Sequence, residues 1–290
     1  MRPVDLVIGL GFAGAIAFAA WRAHALTRSG AIAALAVGAL TYASGTLGFT
    51  LVLLAFFVPS VLLSRIGRAR KRALVDVGKA GPRDALQVLA NGGVATACAV
   101  AWVPTHDVRW AFAFAGAYAA ATADTWATEI GTLARRPPRS ILTFRPVAAG
   151  RSGGITFPGT LAEIAGALWL GVIAIPGILI AMFAAAGDRA GSGASFTSQG
   201  AVIVTLAIPL AGIAGATLDS LLGATVQELR RCAACGRTCE TDPHACGGRT
   251  VRVRGVPGVS NDLVNLLATA AGALVAFVLV QQSAVFWRHP

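Results

Sequence analysis

The sequence predicts an all-α, polytopic integral membrane protein, a helix bundle with about eight transmembrane helices. Hydrophobic residues make up 56% of its 290 residues and charged residues only 13%, whereas soluble domains contain about 25% charged residues. Apolar segments near the length needed to cross a bilayer, about 20 residues, recur along the whole chain. Most basic residues lie between these segments. Together these features predict a single membrane domain over residues 1–290.

The apolar segments lie at residues 4–21, 30–44, 47–64, 84–103, 109–131, 155–185, 199–228 and 261–283. We interpret the first as a retained membrane helix, because its apolar run is longer than the core of a usual signal peptide. It contains a G-x-G-x-x-G pattern at Gly9, Gly11 and Gly14. A dinucleotide-binding fold is not predicted, since no acidic residue follows about 20 positions later.

The basic residues predict the orientation of the bundle. Loops 22–29, 65–83, 132–154 and 229–260 hold 20 of the 24 Lys and Arg residues. Cytoplasmic loops of membrane proteins carry such an excess. We therefore expect these four loops to be cytoplasmic and both termini to lie outside. The formal net charge of +11 then reflects topology and contact with lipid headgroups rather than nucleic acid binding.

Carboxylate and amide side chains gather at the predicted cytoplasmic ends of the last five segments. Charged residues inside membrane helices are costly and usually have a function or a partner. Because these segments contain no Lys or Arg beside the carboxylates, we expect Asp124, Glu129 and Asp219 to bind Mg²⁺, which prefers oxygen ligands. Glu163 belongs to the same acidic group, whereas Asp84 is equally well explained as a helix cap. The candidate catalytic residues are Asn91, Asp124, Glu129, Asp219, Asn261, Asp262 and Asn265.

A glycine-rich loop at residues 148–160 is a candidate phosphate site. Backbone N–H groups at a helix N-terminus bind phosphate, and Arg side chains can bind it with two hydrogen bonds. The candidate phosphate- or nucleotide-binding residues are Arg145, Arg151, Gly153, Gly154 and Thr156. An ordinary glycine-rich turn is the alternative. Gly78-Lys79 is not a P-loop, because Ala73 and Ala80 replace the first Gly and the Ser or Thr of that motif.

Four of the five cysteines lie within the predicted cytoplasmic loop 229–260. Their pattern is Cys232-x₂-Cys235-x₃-Cys239-x₄-His244-x-Cys246. The cytoplasm keeps thiols reduced, which favours a metal over disulfides. A structural Zn²⁺ takes four Cys or His ligands. We therefore expect Cys232, Cys235, His244 and Cys246 to bind Zn²⁺, with Cys239 left over.

Six sequence blocks between about residues 26 and 272 resemble the transmembrane protein 19 family, also known as domain of unknown function 92. The blocks are LTRSG (26–30), RDALQVLANGG (83–93), ADTWATEIG (123–131), GGITFPGT (153–160), LDSLLGA (218–224) and NDLVNL (261–266). That family includes a plant phytyl-phosphate kinase, which converts an isoprenoid monophosphate to the diphosphate. The resemblance implies a kinase that uses a nucleoside triphosphate, ATP or CTP. The predicted topology places its active site at the cytoplasmic face, and we expect the protein in the inner membrane of a prokaryote.

Two other functions remain open on the sequence. A lipid-phosphate nucleotidyltransferase would differ from a kinase only in its product. A transporter or flippase for a cation or a lipid phosphate would also use intramembrane carboxylates and helices with small residues. The outer halves of the predicted spans are apolar, which disfavours transport. The expected partners are the bilayer, an isoprenoid phosphate and a nucleotide, without nucleic acid.

Overall fold

The computed structural model describes residues 2–68, 71, 81–186, 198–244 and 246–283, which form a bundle of long helices and two small sheets. The helices are α1 (Pro3–Arg22), α2 (Arg28–Arg65), α3 (Ala85–Thr105), α4 (Val108–Gly131), α5 (Phe157–Ala186), α6 (Ser198–Thr225) and α7 (Asn261–Ser283). The strands are β1 (Arg139–Ser140), β2 (Gly154–Ile155), β3 (Leu229–Cys232), β4 (Thr238–Cys239) and β5 (Thr250–Arg254).

The outer surface of the bundle is suited to lipid. All the described helices except α4 are long and apolar enough to cross a membrane, which makes six. Large apolar side chains on their outer faces are exposed, and those of Val7, Val172, Phe183 and Leu274 are 63–69% exposed. Such a surface would promote association in water, but in a bilayer it contacts lipid tails. The predicted all-α membrane fold is confirmed.

The predicted second and third spans lie within a single helical element, α2. Gly45 and Thr46 interrupt it with non-helical backbone. A straight helix of this length would extend over about 57 Å. Ala25, just before α2, and Arg65, at its end, nevertheless line the same cavity, so α2 folds back on itself at the interruption. The predicted count of eight spans is not confirmed, although the other predicted boundaries differ from the observed helices by at most three residues.

Helix α4 occupies the centre of the bundle. It packs against α2, α3, α5, α6 and α7, and every residue from Ala111 to Ala123 is buried. Small residues allow this close packing: a Cβ atom on Gly116 would lie 2.5 Å from the carbonyl oxygen of Gly272 in α7. Because protein surrounds α4, this helix does not need a lipid-facing apolar surface.

The glycines near the N-terminus lie within α1, which begins at Pro3. A Cβ atom on Gly9 would lie 2.9 Å from the carbonyl oxygen of Ala39 in α2, whereas one on Gly11 would meet nothing within 4 Å. Gly9 therefore permits close contact between α1 and α2. This geometry agrees with the exclusion of a dinucleotide-binding fold.

Both sheets join the ends of the helices that carry the candidate site. β1 and β2 pair in antiparallel fashion, with Arg139 opposite Ile155, and fold the loop between α4 and α5 back towards α5. Between α6 and α7, the strands form an antiparallel sheet in the order β4-β3-β5. Arg254 of β5 donates hydrogen bonds of 2.7 Å to the carbonyl oxygens of Gly223 and Ala224. These bonds fix the sheet to the C-terminal end of α6.

Candidate functional site

A large cavity lies where α3, α5 and α7 begin and where α4 and α6 end. Its volume is about 660 Å³, and we call it the polar cavity. Among the described residues, five carboxylate and seven cationic residues line it. They are Asp124, Glu129, Glu163, Asp219 and Glu240, and Arg65, Arg68, Lys71, Arg83, Arg135, Arg136 and Arg151. A cavity with this mixture of charges can hold a phosphate ester together with a divalent cation.

Three helices contribute the central carboxylates. Asp124 of α4 interacts electrostatically with Glu163 of α5 and with Asp219 of α6. Thr217 donates a hydrogen bond of 3.3 Å to Glu163. The Oδ2 atom of Asp219 is buried and has no hydrogen-bond partner among the described residues. A buried acceptor without a donor is costly, so these residues fit a cation that would use that oxygen as a ligand.

Small residues bring these helices close enough for their carboxylates to interact. A Cβ atom on Gly215, one helical turn before Asp219, would lie 2.4 Å from the Cβ of Ala120 in α4. The same Cβ would lie 2.7 Å from the carbonyl oxygen of Ala268 in α7. A side chain at position 215 would therefore separate α6 from both neighbours. Gly215 therefore helps to position Asp219 by allowing this close packing.

Glu129 has a partner that the sequence analysis did not anticipate. Lys71 forms an ion pair with its carboxylate and also donates a hydrogen bond of 2.9 Å to the carbonyl oxygen of Leu63. A divalent metal ion was expected to neutralise the acidic group because the spans contain no Lys or Arg beside the carboxylates, but a lysine from loop 65–83 supplies the positive charge at Glu129. Glu163 takes its place beside Asp124 and Asp219. Spacing along α4 explains this, since Glu129 is rotated by about 140° from Asp124.

The glycine-rich turn contributes fewer free phosphate donors than its sequence suggests. Arg151, Gly153 and Gly154 line the polar cavity, but Arg145 is exposed and does not. The N–H of Gly154 donates to the carbonyl oxygen of Arg151 at 3.0 Å and is thus occupied within the turn. Thr156 accepts a hydrogen bond of 3.1 Å from the N–H of Gly159, as a helix-capping residue does. Arg151 remains the phosphate-binding candidate of this segment.

The three predicted amide residues line the polar cavity, whereas one predicted carboxylate residue does not. Asn91, Asn261 and Asn265 line the polar cavity, whereas Asp262 lies in the first turn of α7 and does not line it. Asn91 donates a hydrogen bond of 2.9 Å to the carbonyl oxygen of Gln87. The structure gives Asp84 the capping role that the sequence left open, since it forms a capping box with Gln87 at the start of α3.

A smaller apolar cavity adjoins the polar cavity. Its volume is about 80 Å³, and side chains such as Phe12, Leu53 and Phe57 from α1 and α2 line it. Arg83, Gln87 and Asn91 line both cavities. The charged lining of the polar cavity is therefore continuous with the apolar lining of the smaller one. This arrangement suits an amphiphilic ligand with a charged head and an apolar tail.

Glu240 was absent from the predicted site. It follows β4 in the cysteine-rich loop, lines the polar cavity and accepts a hydrogen bond from Ser152. Gln227 donates a hydrogen bond of 3.1 Å to the same Ser152 hydroxyl oxygen. Burial raises the pKa of Glu240, and its hydrogen bonds with Ser152 and Gln227 oppose that rise. Little in the sequence indicates that Glu240 lines the cavity, because an acidic residue in a cytoplasmic loop is normally exposed to solvent.

The structure brings together the four residues that spacing selected in the cysteine-rich loop. The ligand atoms of Cys232, Cys235, His244 and Cys246 all lie within 4.8 Å of one another, which makes a possible metal site. The Sγ atom of Cys239 instead contacts the carbonyl oxygen of Thr241 at 3.4 Å. All five cysteines are free thiols in the structure.

Comparison with known proteins supports the family resemblance. Residues 11–273 match the family described as integral membrane protein DUF92. The chain is 32% identical to Protein PGR of Arabidopsis thaliana over 240 residues, which cover 77% of this chain and 79% of that protein. It is 28% identical to membrane protein MJ0933 of Methanocaldococcus jannaschii, covering 80% of this chain and 76% of that protein. It is 25% identical to the chloroplastic Protein VTE6 of Arabidopsis thaliana, covering 89% and 66% respectively. No solved structure matches.

Proposed function

We propose that this chain is a kinase that converts a prenyl monophosphate to the diphosphate. The chain belongs to the DUF92 family of integral membrane proteins. The observation that carries this proposal is the polar cavity, which Asp124, Glu163 and Asp219 line together with several arginines and which adjoins an apolar cavity. The sequence resemblance is to a family that includes a plant phytyl-phosphate kinase, and that enzyme performs the same class of reaction.

The reaction needs positioning and charge neutralisation more than acid–base chemistry. An oxygen of the acceptor monophosphate attacks the γ-phosphorus of the nucleoside triphosphate, and the bond to the leaving nucleoside diphosphate breaks. The acceptor requires no general base, because a phosphate monoester, with a second pKa of about 6, is largely ionised at neutral pH. Arginines such as Arg83 and Arg151 would bind the phosphate oxygens through charge-assisted hydrogen bonds.

The carboxylates would hold the cation that this reaction uses. Asp124, Glu163 and Asp219 fit Mg²⁺ because they provide oxygen ligands from three helices, and one oxygen of Asp219 lacks a partner among the described residues. Mg²⁺ supplies neutralisation of the donor phosphates. Asn91 and Asn265 would orient the acceptor or the donor. Glu129, paired with Lys71, would support the cavity wall.

The apolar cavity suggests where the lipid tail lies. Arg83 at the boundary of the two cavities would bind the acceptor phosphate, while the adjoining part of the tail would lie between α1 and α2. The rest of the tail would extend into the bilayer. The polar cavity would face the cytoplasm of a prokaryotic cell, where nucleoside triphosphates are available.

Label transfer tests the proposal directly. Purified protein in detergent would be incubated with Mg²⁺, prenyl monophosphates, and ATP or CTP labelled either at the γ-phosphate or in the nucleoside. We expect transfer of the γ-label only. We also expect Asp124→Asn and Asp219→Asn to lower the rate by about 100-fold or more, because each removes a charge that stabilises the transferring phosphoryl group.

The matched control is Asp107→Asn at the other end of α4. Asp107 caps that helix by accepting a hydrogen bond from the N–H of Arg109, and Asn can do the same. Wild-type activity in Asp124→Asn and Asp219→Asn would refute the assigned roles. Transfer of the nucleoside label would instead identify a nucleotidyltransferase, and no transfer by folded protein would favour a transporter.

A further inference from the structure

The cysteine-rich loop has the geometry of a tetrahedral metal site. The Sγ atoms of Cys232 and Cys246 are 3.5 Å apart, and those of Cys235 and Cys246 are 3.8 Å apart. The Nδ1 atom of His244 lies 3.0 Å from the Sγ of Cys246 and 3.5 Å from that of Cys235. Tetrahedral Zn²⁺, with bonds of about 2.3 Å to sulfur and about 2.0–2.1 Å to nitrogen, requires separations of about 3.8 and 3.6 Å. Three of the four separations agree with these values to within about 0.3 Å, and only the one between His244 and Cys246 is shorter. The sulfurs are too far apart for a disulfide, whose bond length is about 2.05 Å.

Backbone hydrogen bonds hold Cys232 and His244 in position within this cluster. The N–H of Cys232 donates to the carbonyl oxygen of Arg237 at 2.8 Å, and the N–H of Gly236 donates to that of Cys232 at 3.0 Å. His244 donates its N–H to the carbonyl oxygen of Gly248 at 3.1 Å. His244 is only 5% exposed, although the surrounding segment has few apolar side chains to bury it. A segment this short, with so little apolar core, needs another source of stability, and structural Zn²⁺ supplies it in comparable small folds.

The same loop contacts the polar cavity. β3 ends at the ligand Cys232, and the adjacent strand β4 leads directly into Glu240, so one ligand and the residue before Glu240 lie on neighbouring strands of the same small sheet. Glu240 accepts a hydrogen bond from Ser152, which lies in the glycine-rich turn next to Arg151. Glu240 also interacts electrostatically with Asp219. The ligand cluster is therefore connected to the cavity wall through one side chain.

We propose that Cys232, Cys235, His244 and Cys246 bind one structural Zn²⁺, and that this ion fixes Glu240 as a positioning residue for the glycine-rich turn. Without the ion the loop loses its four-way crosslink, Glu240 leaves Ser152, and the turn that carries Arg151 is released. The zinc site does not depend on the proposed kinase function. The importance of the turn for phosphate binding does rest on it.

Metal analysis of the purified full-length protein tests the site itself. We expect about one zinc per chain in the wild type and loss of the metal in Cys232→Ser and Cys246→Ser, because three ligands bind Zn²⁺ far more weakly than four. Cys239→Ser is the matched control, since Cys239 lies in the same sheet and outside the cluster. Cys98→Ser in α3 is a second control outside the loop. A zinc-free wild type, or equal zinc loss in Cys239→Ser and Cys246→Ser, would overturn the proposal.

Hydrogen exchange tests the connection to the cavity without any activity assay. We expect zinc removal by Cys246→Ser to speed amide exchange in residues 148–156 by about tenfold, as local opening becomes easier. Glu240→Gln should speed the same amides while keeping its zinc, and α3 should be unaffected in both. Unchanged exchange in residues 148–156 after zinc loss would refute the positioning role. If the wild type transfers no label, the proposed kinase activity is refuted, but the conclusions from the metal analysis and from hydrogen exchange are unaffected.

Discussion

At the scale of single residues, the candidate site depends on which carboxylates have partners within the protein. Glu129 is ion-paired with Lys71, whereas Asp219 keeps a buried oxygen without a partner among the described residues. The two acids were equivalent in the sequence analysis, but the structure distinguishes them. Removing the partner of an ion-paired carboxylate leaves an uncompensated charge, whereas a carboxylate that lacks a partner is available to a ligand.

The ion pair between Lys71 and Glu129 should therefore act on stability. Both side chains are at most 20% exposed, so breaking the pair leaves a poorly solvated charge. In denaturant unfolding, we expect Lys71→Met and Glu129→Gln each to destabilise the protein, and the double variant to lose about 1–2 kcal/mol less than their sum. The pair between Arg2 and Asp5, in which Arg2 is 73% exposed, is the control and should show much weaker coupling. Additive losses at Lys71 and Glu129 would contradict the assignment.

At the scale of elements, contacts between small residues determine how closely the helices approach. Gly116 and Gly272 bring α4 to α7, and Gly215 brings α6 to both. Helices in membranes associate through such close packing, because burial of apolar surface provides little driving force between lipid-like surfaces. The position of Asp219 is therefore determined one turn away from the carboxylate itself.

Gly215→Ala should disturb the site without touching a polar group. The added Cβ would overlap Ala120 and the backbone of Ala268, so we expect a loss of about 1–3 kcal/mol in unfolding free energy and a lower affinity of the protein for Mg²⁺ or Mn²⁺. Gly11→Ala is the matched control in α1, where the new Cβ would meet nothing within 4 Å and helix propensity favours Ala. Equal stability of the two variants would contradict this account of the packing.

Particular residues show what could be predicted from the sequence. The bounds of α3 to α7 follow from apolar run lengths, and the four Cys and His residues that spacing selected do lie together. Lys71 and Glu240 could not be placed, because both lie in polar loops whose approach to the helices depends on tertiary contacts. Apolarity also could not distinguish one folded-back element from two separate spans in α2, since a break between the predicted segments at Gly45 and Thr46 is compatible with both.

At the scale of the whole molecule, the described polar features are concentrated at one end of the bundle. The polar cavity, the two small sheets and the metal-ligand cluster are all associated with the ends of α4 and α6 and the starts of α3, α5 and α7. The opposite connection between α3 and α4 consists of His106 and Asp107. This asymmetry fits a membrane protein whose polar ligand approaches from one side of the bilayer.

The asymmetry predicts the orientation of the protein in its membrane. A protease site inserted after Leu142, which is 49% exposed in the loop between α4 and α5, should be cut only in inside-out vesicles. A site with flexible flanks inserted after His106 should be cut only in right-side-out vesicles. Retained membrane insertion of both variants would be checked by alkaline extraction. The reverse pattern would place the polar cavity outside the cell and contradict the proposed use of cytoplasmic nucleotides.

The enclosed position of α4 has a consequence for how the protein is made. A helix that is not apolar enough to partition into lipid by itself cannot wait alone in the bilayer for its neighbours. Only His106 and Asp107 separate it from α3, which is apolar enough to cross. We therefore expect the two helices to leave the insertion machinery together as a hairpin, with α4 packed against α3 until the later helices surround it.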